Sequence, residues 1–395
     1  MRVRLLFAAV VGALALAPPA QALPDCSQVP EKRTVLSGQG QLESIIADAR
    51  GRLFYTDIQS GGRLLRIDAP GAEPKQLLQG INGTGGLAWD TDGGLVLGFN
   101  GGNQNAVADG PAGGLLRVDP ETGATAPLAS GMGMANGIVR GPDGAFYASN
   151  DFAGGIDRVR DGKVEDDWSK VATPNGLVID TAGRYLYAAQ TFKPASVARI
   201  DLSDPSREEP YYEAPPGDTF GGPDGMTRDD RDRLFVAVNA TGEVWRIDTD
   251  RTACRLASGI VNASALNWGG GAPGFPARNL YVVGFSGVLV ELADATDRPP
   301  AAGPPTARPP RLRLAVGPKR GAAGALTRWR FVVTAGGRAM PGAAVRFGGR
   351  RATTGADGRA ELAVRFTRAG LRKASAALAG HPSARKTVRL LPRRR

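Results

Sequence analysis

Four residues with oxygen-bearing side chains occupy one position of a repeated pattern. Glu43, Asn136, Asn175 and Asp224 each lie ten residues before the second apolar segment of their repeat. Together they offer two carboxylates and two amides. Two carboxylates held close together are unfavourable unless a cation neutralises them. If the fold gathers the four side chains, the pattern predicts a metal site.

Oxygen ligands of this kind favour a hard cation, with Ca²⁺ first and Mg²⁺ next, and Mn²⁺ or Zn²⁺ as further alternatives. The single histidine, His381, lies in the C-terminal region. A Ser-His-Asp or Cys-His mechanism is therefore excluded from the repeats. Metal-assisted hydrolysis remains, in which a cation polarises a carbonyl and lowers the pKa of water. Asp224 or Glu43 is then the residue expected to accept a proton or orient the water.

The repeats themselves read as β-structure. In "NGLVIDTAGRYLYA" (175–188), as in five related units, an apolar run, a Gly/Asp turn and a second apolar run indicate a β-hairpin. A third strand follows each pair, and a fourth closes most units. Six units of about 40 to 50 residues predict a six-bladed β-propeller over residues 23–294. Segment 31–38 is expected to close the ring as the outer strand of the last blade.

The propeller explains why the four polar residues belong together. Innermost strands line the central channel, and equal register places Glu43, Asn136, Asn175 and Asp224 at equal height near the axis. The alternative is that Asn-Gly and Asp-Gly simply begin strands, which is common. Asn136 is also expected to contact substrate. Further substrate contacts are predicted from three candidates, whose alternative role is packing or loop capping: Trp89, Asn150 and Gln190.

A second domain is expected after a Pro-rich linker at 295–310. Residues 311–395 alternate apolar and polar residues, which predicts a small β-sandwich. The turn from Thr354 to Gly358 is expected inside a hairpin. Residues 301–395 hold 22 Lys and Arg against two acids, so their balance of +20 leaves −9 for residues 1–300 of the total +11. A basic region of this kind points to an anionic cell-wall or membrane surface as a partner.

The N-terminal residues 1–22 read as a secretory signal peptide, with Arg2 and Arg4 before an apolar run and a small-residue cleavage site. The mature protein is therefore expected outside the cytoplasm, either secreted or periplasmic, with association to the cell surface as a further alternative. Outside the cytoplasm, two cysteines more often pair than stay free. We expect a disulfide between Cys26 and Cys254 that ties the N-terminal segment to a blade; two free thiols are the alternative.

Residues 40–294 resemble the gluconolactonase/regucalcin (SMP-30-like) family of six-bladed propellers. The resemblance lies in "LESIIADARGRLFYTDIQSGGRLLRID", "ANG", "TPNGLVID", "GGPDGMTRDDRDRLFVA" and "SALNWGGG…NLYVV". It implies that Glu43, Asn175 and Asp224 bind a divalent metal, with Asn136 completing the shell or meeting substrate. It also implies that Asp224 takes part in activating water. The run from Pro341 to Gly370 resembles bacterial immunoglobulin-like domains, so the second domain is expected to be an immunoglobulin-like β-sandwich.

One departure bears on substrate. Mammalian gluconolactone-hydrolysing members of the family have an arginine two residues before the counterpart of Asn136, where this chain has Met134. The apolar "GMGMANG" favours a less polar lactone or ester. The sequence thus predicts a secreted, monomeric, Ca²⁺-dependent lactone or ester hydrolase, without specific nucleic-acid binding. The alternatives are a non-catalytic binding module stabilised by a metal, and a condensing enzyme related to strictosidine synthase.

Overall fold

The computed structural model describes residues 22–59, 61–297, 312–335, 338–378 and 381–392. The predicted signal peptide and Pro-rich linker therefore lie almost wholly outside the described residues. The chain divides into two compact units, which we describe separately. Within the described ranges, no helix combines the length and apolar character needed to cross a membrane.

In the first unit, the described residues form six four-stranded antiparallel sheets, the blades. Their strands are given from innermost to outermost. Blade 1 contains Leu42–Ala47, Leu53–Asp57, Arg63–Ile67 and Lys75–Gln79. Blade 2 contains Thr84–Trp89, Leu95–Phe99, Gly113–Val118 and Thr125–Met132. Blade 3 contains Ile138–Arg140, Phe146–Ser149, Ile156–Arg160 and Lys163–Ser169.

The remaining three blades follow the same order. Blade 4 contains Pro174–Ile179, Tyr185–Gln190, Ser196–Asp201 and Asp204–Glu213. Blade 5 contains Pro223–Arg228, Leu234–Val238, Glu243–Ile247 and Ala253–Ala257. Blade 6 contains Ala263–Trp268, Leu280–Gly284, Val288–Leu292 and Lys32–Leu36. Two short helices, Asn103–Val107 and the 3₁₀ turn Pro216–Asp218, lie in connections.

The N-terminal strand closes the ring. Lys32–Leu36 pairs antiparallel with Val288–Leu292, with Lys32 opposite Leu292, which confirms the ring closure predicted for residues 31–38. Just before this strand, Cys26 forms a disulfide with Cys254 in the outer strand of blade 5. The backbone nitrogen of Cys26 also donates to the carbonyl of Arg255 at 2.9 Å. The N-terminal segment is therefore fixed to two neighbouring blades.

The core lies between the blades, because the second strand of each blade is almost wholly buried. Leu53–Asp57 and Leu234–Val238 are buried along their whole length, which is typical of strands packed on both sides. Large side chains pack from one blade to the next: Trp268 of blade 6 lies edge-on to Phe235 of blade 5, with ring centroids 4.9 Å apart. This packing fixes the innermost strands around the axis.

The second unit contains two packed sheets. One joins Arg313–Gly317, Leu326–Ala335, Arg338–Ala339 and Arg359–Arg365. The other has the order Arg320–Ala322, His381–Leu391, Gly370–Leu378, Ala344–Phe347 and Arg350–Thr353. Their shared core includes the buried side chains of Trp329, Phe331 and Phe347.

The hairpin expected at the turn from Thr354 to Gly358 is wrong. The strand before the turn, Arg350–Thr353, pairs with Ala344–Phe347. The strand after it, Arg359–Arg365, pairs with Leu326–Ala335 in the other sheet. The Asp-Gly turn therefore carries the chain from one sheet to the other. The immunoglobulin-like assignment of this unit stays a prediction.

Candidate metal and substrate site

Three of the four predicted ligands have the same place in their blades. Glu43, Asn175 and Asp224 are each the second residue of an innermost strand. In blades 1, 4 and 5, the pairing with the second strand shifts register between the first and fourth residues of that strand. Such a β-bulge bends the strand and redirects its side chains. Asn136 lies just before the innermost strand of blade 3, where its backbone nitrogen donates to Ser149 at 3.0 Å.

The four side chains lie at the boundary between two cavities. A cavity of about 940 Å³ opens over one end of the innermost strands. A smaller one of about 240 Å³ is lined by all six innermost strands. Glu43, Asn136, Asn175 and Asp224 line both cavities, and all four are buried. The structure thus brings the four predicted residues together on the propeller axis.

The other two blades cannot contribute a ligand at this level. In blade 2 the equivalent residue is Gly85, where an added Cβ would lie 2.2 Å from the carbonyl oxygen of Ala135. Any side chain there would push the segment carrying Asn136 away. In blade 6, Ser264 donates to the carbonyl of Leu42 at 2.7 Å and is fully buried. Its hydroxyl therefore holds blade 6 to blade 1.

A third carboxylate, Asp151, lies beside the two amides. Its Oδ1 accepts a hydrogen bond from Nδ2 of Asn136 at 3.2 Å, and its Oδ2 accepts one from Nδ2 of Asn175 at 3.4 Å. Both amides are thereby held by their nitrogens. Their oxygens remain for another partner, which is the orientation that a cation requires.

Asn239 plays a similar part for Asp224. Its Nδ2 donates to Oδ2 of Asp224 at 3.1 Å, while its backbone nitrogen donates to Gly222 at 2.9 Å. Because blade strands are antiparallel, the residue after the second strand lies beside the start of the first. Asp151 and Asn239 both follow a second strand. An alignment restricted to innermost strands does not include these two residues. The sequence signal for them is a polar residue soon after a second strand, as after "FYAS" and "LFVAV".

The carboxylates of the site are held in an environment that disfavours their charge. Burial, together with the charge of Asp151, raises the pKa of Glu43 to about 8. Burial raises the pKa of Asp224 well above its usual value, with further contributions from the charges of Glu43 and Asp151. Burial also raises the pKa of Asp151, although the hydrogen bonds that this carboxylate accepts act to lower it. In the described ranges, no salt bridge reaches any of the three carboxylates.

This donor set fits a hard cation with mixed ligands. In the described part of the chain, no group of three His, Cys, Asp or Glu side chains is placed to hold a metal ion. The donors that a cation between the two cavities would meet are the carboxylates of Glu43 and Asp224 and the amide oxygens of Asn136 and Asn175. Burying carboxylates without a cation is costly, and oxygen donors of both kinds are ligands of Ca²⁺.

Three residues predicted to contact substrate are placed elsewhere. Trp89 lines only the smaller cavity, and its Nε1 donates to the carbonyl of Ala47 at 2.8 Å. Asn150 binds Asp109 at 3.0 Å and caps the loop that follows. Gln190 donates to Ala172 at 2.8 Å and accepts from Ser196. Their polar atoms are used within the protein, which favours the packing and capping roles, and substrate contact by these three residues stays a prediction.

The mouth of the larger cavity has two chemically different halves. Phe152, Phe192 and Phe220, from blades 3, 4 and 5, have 44%, 61% and 89% of their surface exposed. Phe152 and Phe192 stack with centroids 5.8 Å apart. Met134 lines the same cavity. Amide side chains of blades 1 and 2 line the other half: Gln41, Asn82, Asn100, Asn103 and Gln104.

The family comparison agrees with this geometry. The model of the SMP-30/Gluconolactonase/LRE-like region matches residues 42–283. The chain belongs to this family. The match begins at the first innermost strand and ends in the second strand of blade 6, so it covers all four candidate ligands. A search of the curated proteins finds no match.

Solved structures of family members have the same fold. A gluconolactonase of Xanthomonas campestris is 19% identical, with a TM-score of 0.55, covering 69% of this chain and 98% of its own. A calcium-binding protein, regucalcin, from Agrobacterium tumefaciens is 18% identical, with a TM-score of 0.56 and coverage of 72% and 98%. A luciferin-regenerating enzyme is 16% identical, with a TM-score of 0.54 and coverage of 69% and 98%.

Proposed function

We propose that the propeller is a divalent-cation-dependent hydrolase of lactones or related esters, with Ca²⁺ as its first candidate cation. The observation that carries the proposal is the convergence of Glu43, Asn136, Asn175 and Asp224 between the two cavities. The family match and the likeness to a gluconolactonase and a calcium-binding regucalcin support it.

The side chains of the chain define the chemistry. When bound, a divalent cation polarises a carbonyl oxygen and lowers the pKa of water. Asp224, held by Asn239, accepts a proton from the water that attacks the carbonyl carbon. The C–O bond of the lactone then breaks, and the proton passes to the departing alkoxide. Glu43 is the second carboxylate able to orient this water, and Asp151 keeps the two amides in place.

The proposed substrate is less polar than a sugar lactone. Exposed phenylalanines from three neighbouring blades give one half of the mouth an apolar surface, and such patches mark binding sites. The mouth has Met134 where mammalian gluconolactone-hydrolysing members of the family have an arginine. An alkyl or aryl group on the lactone would pack against this half, while the ring carbonyl reaches the carboxylates.

We further propose that the protein acts outside the cytoplasm. The secretory pattern of residues 1–22 and the Cys26–Cys254 disulfide support this location, because disulfides persist in oxidising compartments.

The decisive experiment is hydrolysis of a lactone panel by the full chain. The panel comprises aldonolactones, N-acyl homoserine lactones and aryl lactones, each with Ca²⁺ or with chelator. We expect turnover that needs the cation and favours alkyl or aryl lactones. Asp224→Asn should abolish it, whereas Glu213→Gln, an exposed carboxylate of blade 4, should leave it unchanged.

A matched pair of substitutions tests the apolar half. Phe220→Ala should lower kcat/KM for aryl lactones about tenfold and leave aldonolactones unchanged, since one lost apolar contact is worth 1–3 kcal/mol. Val261→Ala, at another exposed apolar residue that does not line the cavity, should change neither. A chain that binds Ca²⁺ but turns over no member of the panel would instead be a binding module.

A further inference from the structure

One face of the second unit carries cations without acidic partners. In the strand Gly370–Leu378, Ala374 and Ala376 point into the core, so alternation turns Lys373 and Ser375 to the outside. The same reasoning applies to the neighbouring strands of this sheet. We call the exposed set the arginine face: Arg320, Arg346, Arg351, Lys373, Arg385 and Arg389.

Strand register aligns three of these arginines in a row. Arg385 lies opposite Ser375, and Ser375 lies opposite Arg346. Arg346 in turn lies opposite Arg351 in the edge strand. Neighbouring strands are about 4.8 Å apart, so three guanidinium groups follow one line across four strands. Arg320 and Arg389 are likewise opposite each other.

This face differs from the other face of the same unit. On the opposite sheet, Arg330 lies opposite Glu361 and donates to it at 2.9 Å. Among the described residues, no ion pair and no side-chain hydrogen bond reaches the six cations of the arginine face. Like charges directly opposite each other destabilise a sheet. The antiparallel pair Arg346–Arg351 thus lowers stability unless an anion lies over it.

A groove continues the row at the edge of the sheet. It has a volume of about 820 Å³ and lies beside the strands Arg313–Gly317 and His381–Leu391. Arg313, Arg385 and Lys386 line it, and no acidic residue does. Because Arg385 belongs to both the groove and the row, the positive surface is continuous over the two.

We propose that the arginine face docks a linear polymer without bases whose charges are phosphate groups, of the polyphosphate type. Five of its six cations are arginines, whose planar fork binds phosphate through two parallel hydrogen bonds. The Trp and Phe side chains in the described part of this unit are buried or half-buried, so the face has no aromatic residue to stack on bases. A flat surface with aligned charges suits a flexible chain that can follow the row. The proposal is independent of the hydrolase function.

The test measures binding of the full chain to inorganic polyphosphate of defined length as a function of salt. The triple variant R346Q/R351Q/R385Q is compared with R328Q/R330Q/R365Q, which removes the same charge from the opposite sheet. We expect the first variant to reduce the slope of log K against log salt by about two, since each lost phosphate contact removes about 0.7. The second should keep most of the wild-type slope.

Two further arms make the outcome specific. The variant R346K/R351K/R385K keeps the positive charge but loses the planar guanidinium groups. It should bind polyphosphate more weakly than wild type and more strongly than R346Q/R351Q/R385Q. Anionic lipid vesicles and duplex DNA are tested at equal phosphate concentration. Tighter binding to either than to polyphosphate would overturn the proposal in favour of a membrane or nucleic acid. No polyphosphate binding, or equal losses in the two glutamine triples, would also overturn it.

Discussion

Asp151 accepts hydrogen bonds from two amides and adds negative charge beside Glu43. It is therefore a positioning residue with two separable effects. The first fixes the nitrogens of Asn136 and Asn175, so that their oxygens remain for a cation. The second raises the pKa of Glu43, because two buried carboxylates resist being charged together.

Asp151→Asn tests both effects at once. We expect Ca²⁺ affinity to fall about tenfold or more, as is typical when a residue that orients metal ligands is replaced. The pKa of Glu43 should move down at the same time, because the neighbouring charge is gone. Calorimetry measures the affinity and the pH profile of turnover reports the pKa. Asp166→Asn, an exposed carboxylate in the same blade, is the control and should change neither. If Asp151 only held the two amides in position, Asp151→Asn would leave the pH profile of turnover unchanged.

The raised pKa values predict how stability depends on pH without metal. The folded-state pKa of Glu43, about 8, lies above its ordinary value of 4.5, so between these values the folded state binds more protons than the unfolded state. The free energy of unfolding should therefore fall as pH rises through this window. Asp224 and Asp151 act in the same direction.

Thermal unfolding in chelator between pH 5 and 8 measures this effect. Glu43→Gln should flatten the decline, and Ca²⁺ should reverse it, since the cation stabilises the charged form. A wild-type profile that rises with pH in chelator would contradict the account of these carboxylates.

At the scale of elements, side-chain hydroxyls hold the bulged strands to the next blade. The Oγ of Ser149, in blade 3, donates to the carbonyl of Asn175 in blade 4 at 2.6 Å and accepts from Gly137 at 2.8 Å. Thr191, in blade 4, donates in the same way to Pro223 in blade 5 at 2.7 Å. Each bond ends next to or on a residue of the site, so the ligand positions depend on contacts between blades.

Ser149→Ala should loosen the site as well as the fold. It leaves a buried carbonyl and a backbone nitrogen without partners, which costs about 1–3 kcal/mol in free energy of unfolding. We expect a lower melting temperature and weaker Ca²⁺ binding, both measured by thermal unfolding with and without Ca²⁺. Ser206→Ala, at an exposed serine of blade 4, should change neither. Destabilisation with unchanged Ca²⁺ affinity would show that the hydroxyl bonds do not position the ligands.

The sequence predicted the elements well where the pattern is local and repeated. Hairpins around Asp92 and Asp143 and the register of the four polar residues follow from periodicity, and the closing strand follows from the need of a propeller to close its ring. The bulges do not, because a bulge is a property of pairing between strands. The hydrogen bonds of Asp151 and Asn239 to the candidate ligands could not be predicted for the same reason. The hairpin predicted at the turn from Thr354 to Gly358 was wrong because an Asp-Gly pair indicates only that the chain turns. It does not indicate which sheet the next strand joins.

At the scale of the whole molecule, the ring is closed by segments far apart in sequence. The outer strand of blade 6 comes from the N-terminus, and the disulfide joins Cys26 to a residue 228 positions away. Closure of this kind gives the six innermost strands a fixed common axis. The charge asymmetry between residues 1–300 and 301–395 was visible in composition, but only the strand register shows that six of the cations in 301–395 share one face.

Removal of the disulfide should lower the stability of the propeller. For Cys26→Ala/Cys254→Ala we expect the free energy of unfolding to fall by about 2–5 kcal/mol, chiefly because the unfolded chain gains freedom. Denaturant unfolding measures the change, and reductant should have no further effect on the double variant. Equal stability of wild type and variant would show that strand pairing alone secures the N-terminal segment.

The most direct test of the account is a calorimetric titration of Ca²⁺ into the metal-stripped full chain. We predict one cation bound in the propeller, its affinity rising with pH as Glu43 and Asp224 lose their protons. Glu43→Gln and Asp224→Asn should each abolish binding, and Glu213→Gln should preserve it. Binding that survives both site substitutions, or a wild-type chain that binds no divalent cation, would contradict the claim that these residues form a metal site on the axis.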